Sequence, residues 1–243
     1  MKVFCFLLLS FFSVDLNLTE NNNTTSLSKP EHIAWNNLLQ KHVDQEGNVN
    51  YTAFQKDIKS LESYLDVLAL NSPRDNWSRQ EKLAYYINLY NAATVKLILD
   101  NYPTESIKDI RNPWDKEWVK IGAKTYSLGQ IEHKILRKMS EPRIHFAINC
   151  ASYSCPKLLN EAYTSANLET QLRKATFDFI NDFKRNKIVI DKLQLSHIFK
   201  WYKGDFTENG SLIDYIAPYT KIKMKPNAKI NYLEYNWSLN EIK

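Results

Sequence analysis

Residues 143–156 read RIHFAINCASYSCP and hold Cys150 and Cys155, the only cysteines beyond the first few residues of the chain. The apolar run at residues 144–148 predicts a short buried strand. The small residues that follow, up to Pro156, predict a loop where this strand ends. Side chains at such an edge are accessible and often carry function, so we expect the functional site of the protein here.

Length and composition describe an ordinary globular protein. The chain has 243 residues, of which 44% are hydrophobic, 24% charged and 13% aromatic. One domain with a sizeable core is the expected organisation. The net charge of +5 comes from lysines spread along the chain, without a dense basic run among aromatic residues. This pattern argues against nucleic acid as a partner.

The N-terminus predicts export. Lys2 is followed by an apolar stretch that has the length of a signal peptide and is too short to span a bilayer. We predict a signal peptide at residues 1–16, a disordered tether rich in Asn, Thr and Ser at residues 17–30, and a single globular domain at residues 31–243. The mature chain is then secreted or periplasmic and has no integral membrane span.

Hydrophobic periodicity and capping signals predict the main elements. Ser78 and Glu81 form a capping box that opens the longest helix, which extends to about Asp100. Helices are also predicted at residues 31–43, 54–68 and 168–184, and hairpins at residues 119–126 and 188–195. This alternation favours an α+β fold in which several helices pack on a small, partly antiparallel sheet.

Two asparagines stand out on the longest helix. This helix is apolar on nearly all sides and should therefore be buried. Asn88 and Asn91 are three residues apart, on one face, and are predicted to be enclosed amides. A buried amide needs partners, so the favoured interpretation is that they fasten a neighbouring loop. A catalytic role is the alternative.

Several separated motifs resemble the domain of unknown function 547 family. They are WxxLLxxHV at residues 35–43, LAYYINLYNA at 83–92, YSL at 126–128 with IEH at 131–133, residues 143–156, and YNWSLN at 235–240, where the family usually has Tyr-Asp-Trp. The resemblance runs from about Pro30 to the end of the chain. It implies no agreed activity, although bacterial members are often exported. A distant likeness to papain-like cysteine hydrolases depends on the Cys and His positions alone.

The sharpest chemical hypothesis is a cysteine nucleophile, which needs a thiolate, a histidine base and a group that orients the base. Cys150, at the predicted strand end, is the better-placed thiol, and Cys155 is its alternative or its disulfide mate. On a straight strand, His145 would lie roughly 16 Å from Cys150 and point to the opposite face. His133, on the preceding helix, is therefore the predicted base.

The other candidate site residues are assigned roles around this cysteine and histidine pair. Adjacent helical residues diverge by about 100°, so Glu132 is expected to form an ion pair, and Asn88 or Asn91 to orient His133. The predicted catalytic residues are Cys150, His133, Asn88, Asn91 and Glu132, and the predicted binding residues are His145, Asn149 and Cys155.

Metal and cofactor chemistry has little support in the sequence. His133, His145, Cys150 and Cys155 are zinc-ligand types, but their spacing matches no zinc motif, so we predict no metal. Phosphate-loop, nucleophile-elbow and HExxH motifs are absent, and we predict no cofactor.

The predicted function is a thiol-dependent hydrolase or acyl transferase that acts on peptide-like bonds of a peptide or cell-envelope substrate. The alternative is a non-catalytic binding or structural module, in which a Cys150–Cys155 disulfide stabilises a loop by about 2 kcal/mol. The oligomeric state stays open.

Overall fold

The computed structural model describes Met1 and residues 29–242. The predicted signal peptide and most of the predicted tether lie outside the described residues. The α-helices are α1 (Ile33–His42), α2 (Tyr51–Phe54), α3 (Ile58–Leu70), α4 (Arg79–Asp100), α5 (Leu128–Gln130), α6 (Leu168–Asn181), α7 (Ile198–Trp201), α8 (Lys203–Phe206) and α9 (Leu212–Ile216). The strands are β1 (Val119–Ile121), β2 (Lys124–Tyr126), β3 (Lys187–Val189), β4 (Lys192–Leu195) and β5 (Lys229–Tyr232).

The long helix α4 begins at its predicted capping box. The Ser78 hydroxyl accepts a hydrogen bond from the Glu81 backbone N–H at 3.2 Å, and the Glu81 carboxylate accepts one from the Ser78 N–H at 2.7 Å. Two donors at the start of the helix are satisfied in this way. Most side chains between Leu83 and Leu99 are buried, as the all-round apolar pattern predicts.

The strands form two small sheets. β1 and β2 form an antiparallel hairpin that turns at Gly122, whose φ of 58° favours glycine. In the second sheet, β3 pairs antiparallel with β4, and β4 pairs parallel with β5. The predicted α+β class, with helices and a partly antiparallel sheet, is confirmed.

The predicted strand at residues 144–148 is wrong. The chain instead forms a 3₁₀ helix over Pro142–Phe146, with Pro142 in its first turn and the Glu141 carboxylate accepting from the Arg143 N–H. A short apolar run fits a buried helical turn as well as a strand, and here Pro142 and the Glu141 cap favour the turn.

This 3₁₀ helix lies where two hydrophobic clusters meet. Ile144 and Ile148 pack in the larger cluster, which is built around α1, α3 and α4. Phe146 packs in the smaller cluster, among side chains of α6 to α9 and β4. The cysteine-containing loop that follows is therefore held from both sides. Among the described residues, the structure contains no helix of the length and apolarity needed to cross a membrane.

Candidate functional site

The two cysteines lie in the wall of a cavity of about 370 Å³. Five residues predicted from the sequence line this cavity: Cys150, Cys155, His133, His145 and Glu132. Much of the remaining wall is aromatic and is formed by Tyr90, Trp114, Trp201, Tyr202, Tyr235 and Trp237. The cavity thus unites groups from α4, from the segment after β2, from the cysteine loop, from α7 and from the segment after β5.

The sulfurs of Cys150 and Cys155 are joined in a disulfide that closes a short loop. The Cys150 N–H points at the Cys155 sulfur at 2.9 Å, and the Cys155 N–H donates to the Ser152 carbonyl at 3.0 Å. Ala151 has a left-handed φ of 56° within this tight turn. The sequence analysis kept a Cys150–Cys155 disulfide as an alternative, and the structure contains this disulfide. A sulfur in a disulfide is not a thiolate, so Cys150 is not a nucleophile in this state.

Asn149 holds the ends of this loop together. Its side-chain oxygen accepts from the Ala151 N–H at 2.7 Å, and its NH₂ group donates to the Pro156 carbonyl at 2.7 Å. The side chain is buried and is not part of the cavity wall. Asn149 was predicted to bind a ligand; the structure places its side chain in hydrogen bonds to the backbone of the loop.

Asn88 and Asn91 are enclosed amides that fasten neighbouring backbone, as the favoured interpretation predicted. Asn91 donates to the Ala147 carbonyl at 2.9 Å and accepts from the Asn149 N–H at 2.8 Å. Asn88 makes the same two-sided contact with the backbone of Tyr163, at 2.7 and 3.0 Å. Among the described residues, the hydrogen bonds of both amides go to backbone groups and none goes to a histidine.

The segment that follows β5 covers the cysteine loop. The Tyr153 N–H donates to the Ser238 carbonyl, and the Asn240 N–H donates to the Ala151 carbonyl. This pairing places the Tyr235 hydroxyl 3.3 Å from each sulfur of the disulfide and 3.1 Å from the Ser152 hydroxyl. Burial raises the pKa of Tyr235, so its hydroxyl keeps its proton.

Glu132 is a buried carboxylate within a π-helical turn, Ile131–Ile135. One carboxylate oxygen, Oε2, accepts from the Tyr90 hydroxyl at 3.2 Å. The other, Oε1, lies 3.9 Å from the Nδ1 atom of His133. The sequence argument assumed an α-helix, in which adjacent side chains diverge by about 100°. Glu132 and His133 lie instead on a π-helical turn, and their side chains come within 3.9 Å of each other. The His133 side chain is 51% exposed, so it lies at the mouth of the cavity.

His145 is part of an ion-paired cluster. Asp205 accepts two bonds from the Arg137 guanidinium, both at 2.7 Å, and one from His145 Nε2, also at 2.7 Å. The Arg137 guanidinium and, to a smaller extent, His145 hold the pKa of Asp205 well below its usual range. The His145 ring stacks on Tyr202 with the ring centres 3.9 Å apart.

Sequence reasoning placed His145 far from Cys150 because it assumed a strand between them. In the 3₁₀ geometry both residues line one cavity. Asp205 and Arg137 were missed, since the residues of this pair are 68 positions apart and no local pattern connects them. Tyr235 belongs to the motif at residues 235–240, and the family resemblance of that motif is the one sequence signal for its place at the site.

The residues that the structure describes contain no group of three His, Cys, Asp or Glu side chains arranged to hold a metal ion. The zinc alternative drawn from His133, His145, Cys150 and Cys155 therefore gains no support from the geometry.

Fold and site together define an α+β protein with an aromatic, acidic cavity whose wall carries a disulfide. Residues 74–180 match the model of a family described as a protein of unknown function, DUF547. The predicted family resemblance is confirmed over this segment, which contains α4 and the cysteine loop. The motifs at residues 35–43 and 235–240 lie outside the match. Comparisons with curated proteins and with solved structures found no match.

Proposed function

We propose that this protein is a secreted or periplasmic ligand-binding protein, and that the Cys150–Cys155 disulfide fixes one wall of its binding cavity. The observation that carries the proposal is the bond between the two sulfurs, both of which line the cavity. Disulfides persist in oxidising compartments, which agrees with the predicted export.

The character of the cavity supports binding. At about 370 Å³ it has the size of a small-molecule site. Aromatic side chains form a large part of its wall, with a few convergent polar groups such as the Glu132 carboxylate and the Tyr235 hydroxyl. Sites that bind small molecules typically combine these features. Buried amides hold the backbone of the cysteine loop, which limits the ordering free energy that this wall of the cavity loses on binding.

The double variant Cys150→Ser/Cys155→Ser tests the role of the bridge. We expect its free energy of unfolding to fall by about 2 kcal/mol, because the short loop regains entropy in the unfolded chain. Urea unfolding followed by circular dichroism measures this loss. Reductant should produce the same loss in the wild-type protein and should have no effect on the double variant.

The same variant tests ligand binding. A small-molecule screen by tryptophan fluorescence suits this cavity, since Trp114, Trp201 and Trp237 line it. Ligands found with the oxidised protein should bind more weakly to the double variant. A wild-type protein that is equally stable with and without reductant, and that retains no ligand from the screen, would contradict the proposal.

A thiol-dependent hydrolase or acyl transferase is the second candidate. It is favoured by the convergence of Cys150, His133 and His145 on one cavity. After reduction, the Cys150 thiolate would attack the carbonyl carbon of a peptide-like bond, and a protonated histidine would donate to the departing amine. Water or another amine would then release the acyl group.

Within this second candidate, His145 is a better base than the predicted His133. A carboxylate at 2.7 Å orients its ring, as in a catalytic triad, whereas His133 is half exposed and its Nδ1 accepts a longer bond, at 3.4 Å, from the Arg137 guanidinium. Hydrolysis of peptide-like amides by the reduced wild type, but not by a reduced Cys150→Ser variant, would place this candidate first.

A further inference from the structure

One oxygen of the Glu132 carboxylate is buried and unused. The residue is only 4% exposed and lines the cavity. Oε2 accepts from Tyr90, but Oε1 has no hydrogen-bond partner among the described residues. An unpaired buried carboxylate oxygen is costly and calls for an explanation. Because Glu132 lines the cavity, a bound ligand can supply the missing donor.

The charges around the cavity favour a cation. The acidic side chains in its wall are Glu132 and Asp115, and no lysine or arginine contributes to the part of the wall that the structure describes. The Arg137 guanidinium interacts electrostatically with Glu132, but its hydrogen bonds go to both oxygens of Asp205 and to His133 Nδ1. The nearest basic nitrogen to Glu132 Oε1 is His133 Nδ1, which at 3.9 Å is beyond hydrogen-bond distance.

The aromatic wall favours the same class of ligand. Faces of tyrosine and tryptophan rings attract organic cations, and the attraction is stronger where water is excluded. Tyr90 contacts the Glu132 carboxylate directly. Burial and the neighbouring Glu132 charge raise the pKa values of both Tyr90 and Tyr202, so these two hydroxyls stay neutral beside the carboxylate. Neutral hydroxyls add no positive charge beside the Glu132 carboxylate, and the described residues place no cationic nitrogen within hydrogen-bond distance of Oε1.

We propose that the cavity binds a small molecule that carries a primary ammonium group, with the ammonium N–H donating to Glu132 Oε1 and the carbon chain packed against the aromatic wall. This inference depends on the proposed binding function and adds the chemical class of the ligand.

The test compares four probes of similar size with the oxidised full chain: n-hexylammonium, n-hexanol, hexanoate and trimethylhexylammonium. Binding is measured by calorimetry and by tryptophan fluorescence. We expect n-hexylammonium to bind at least about tenfold more tightly than n-hexanol, and hexanoate to bind most weakly. The trimethyl probe has no N–H, so it should bind more weakly than the primary amine.

Glu132→Gln is the matched variant, because it keeps the shape of the side chain and removes the charge. It should weaken n-hexylammonium binding at least about 30-fold and leave n-hexanol binding within about threefold. Glu46→Gln, at an exposed carboxylate outside the cavity wall, should leave both affinities unchanged.

Equal affinity of the wild type for n-hexylammonium and n-hexanol would overturn the inference, and this comparison needs no variant. An unchanged affinity of a folded Glu132→Gln protein for n-hexylammonium would overturn it as well. If the small-molecule screen yields ligands that lack a cationic group and the amine probes do not bind, the ligand class is wrong while the binding function stands. If the screen and the probes all fail, both are wrong.

Discussion

Replacing Asn91 with alanine should lower the free energy of unfolding by about 4 kcal/mol. The side chain is 2% exposed and satisfies the Ala147 carbonyl and the Asn149 N–H. Alanine leaves both backbone groups buried without partners, and each costs on the order of 1–3 kcal/mol. Urea unfolding monitored by circular dichroism measures the change.

Asn71→Ala is the matched control for this variant. The Asn71 amide donates to the Val67 carbonyl at an exposed helix end, where water can replace it, so its loss should cost less than about 1 kcal/mol. The Asn91 contacts lie directly before Cys150, so Asn91→Ala should also weaken ligand binding. A cost below about 1 kcal/mol for Asn91→Ala, with binding unchanged, would show that the amide does not hold the cysteine loop.

The free energy of unfolding should fall by about 2 kcal/mol between pH 7 and pH 5 because of His32 alone. Burial lowers the pKa of His32 from 6.5 to about 4. Between these values the unfolded chain binds a proton that the folded protein does not bind. The contribution of neutral His32 to the free energy of unfolding is therefore fully present above about pH 6.5. It is lost as the pH falls towards 4, and the loss is about 3 kcal/mol over the whole range.

The variant His32→Gln isolates this effect. In the folded protein His32 Nδ1 lies 2.7 Å from the Tyr64 hydroxyl, and glutamine keeps a polar group there without a titrating ring. Urea unfolding of both proteins at pH 7, 6 and 5 gives the free energy of unfolding as a function of pH, and the two slopes are compared. Most carboxylates stay ionised at these pH values. Parallel pH profiles for the wild type and the variant would show that His32 does not couple folding to protons.

Locally encoded features could be predicted from the sequence. The capping box at Ser78 forms as predicted, because both partners lie within one helical turn. The hairpin at Gly122 and the burial of Asn88 and Asn91 follow from similarly short-range patterns.

Features that depend on tertiary context could not be predicted. The apolar residues 144–148 fit a strand or a buried turn equally well, and packing between two clusters favours the turn. The wrong strand prediction also affected the choice of base, since the distance argument against His145 assumed a strand. The Asp205 pair with Arg137 and the approach of Tyr235 to the disulfide connect distant parts of the chain, so neither leaves a local pattern.

The state of the two cysteines tests the central claim most directly. Trypsin is expected to cut after Arg143 and Lys157, so one peptide of residues 144–157 contains both thiols. The purified protein is unfolded, treated with iodoacetamide without reductant, digested and analysed by mass spectrometry. We predict that this peptide carries no adduct, has the mass of the bridged form, and gains two adducts only after reduction. An unreduced peptide alkylated at Cys150 would contradict the bridged binding cavity and favour a free catalytic thiol.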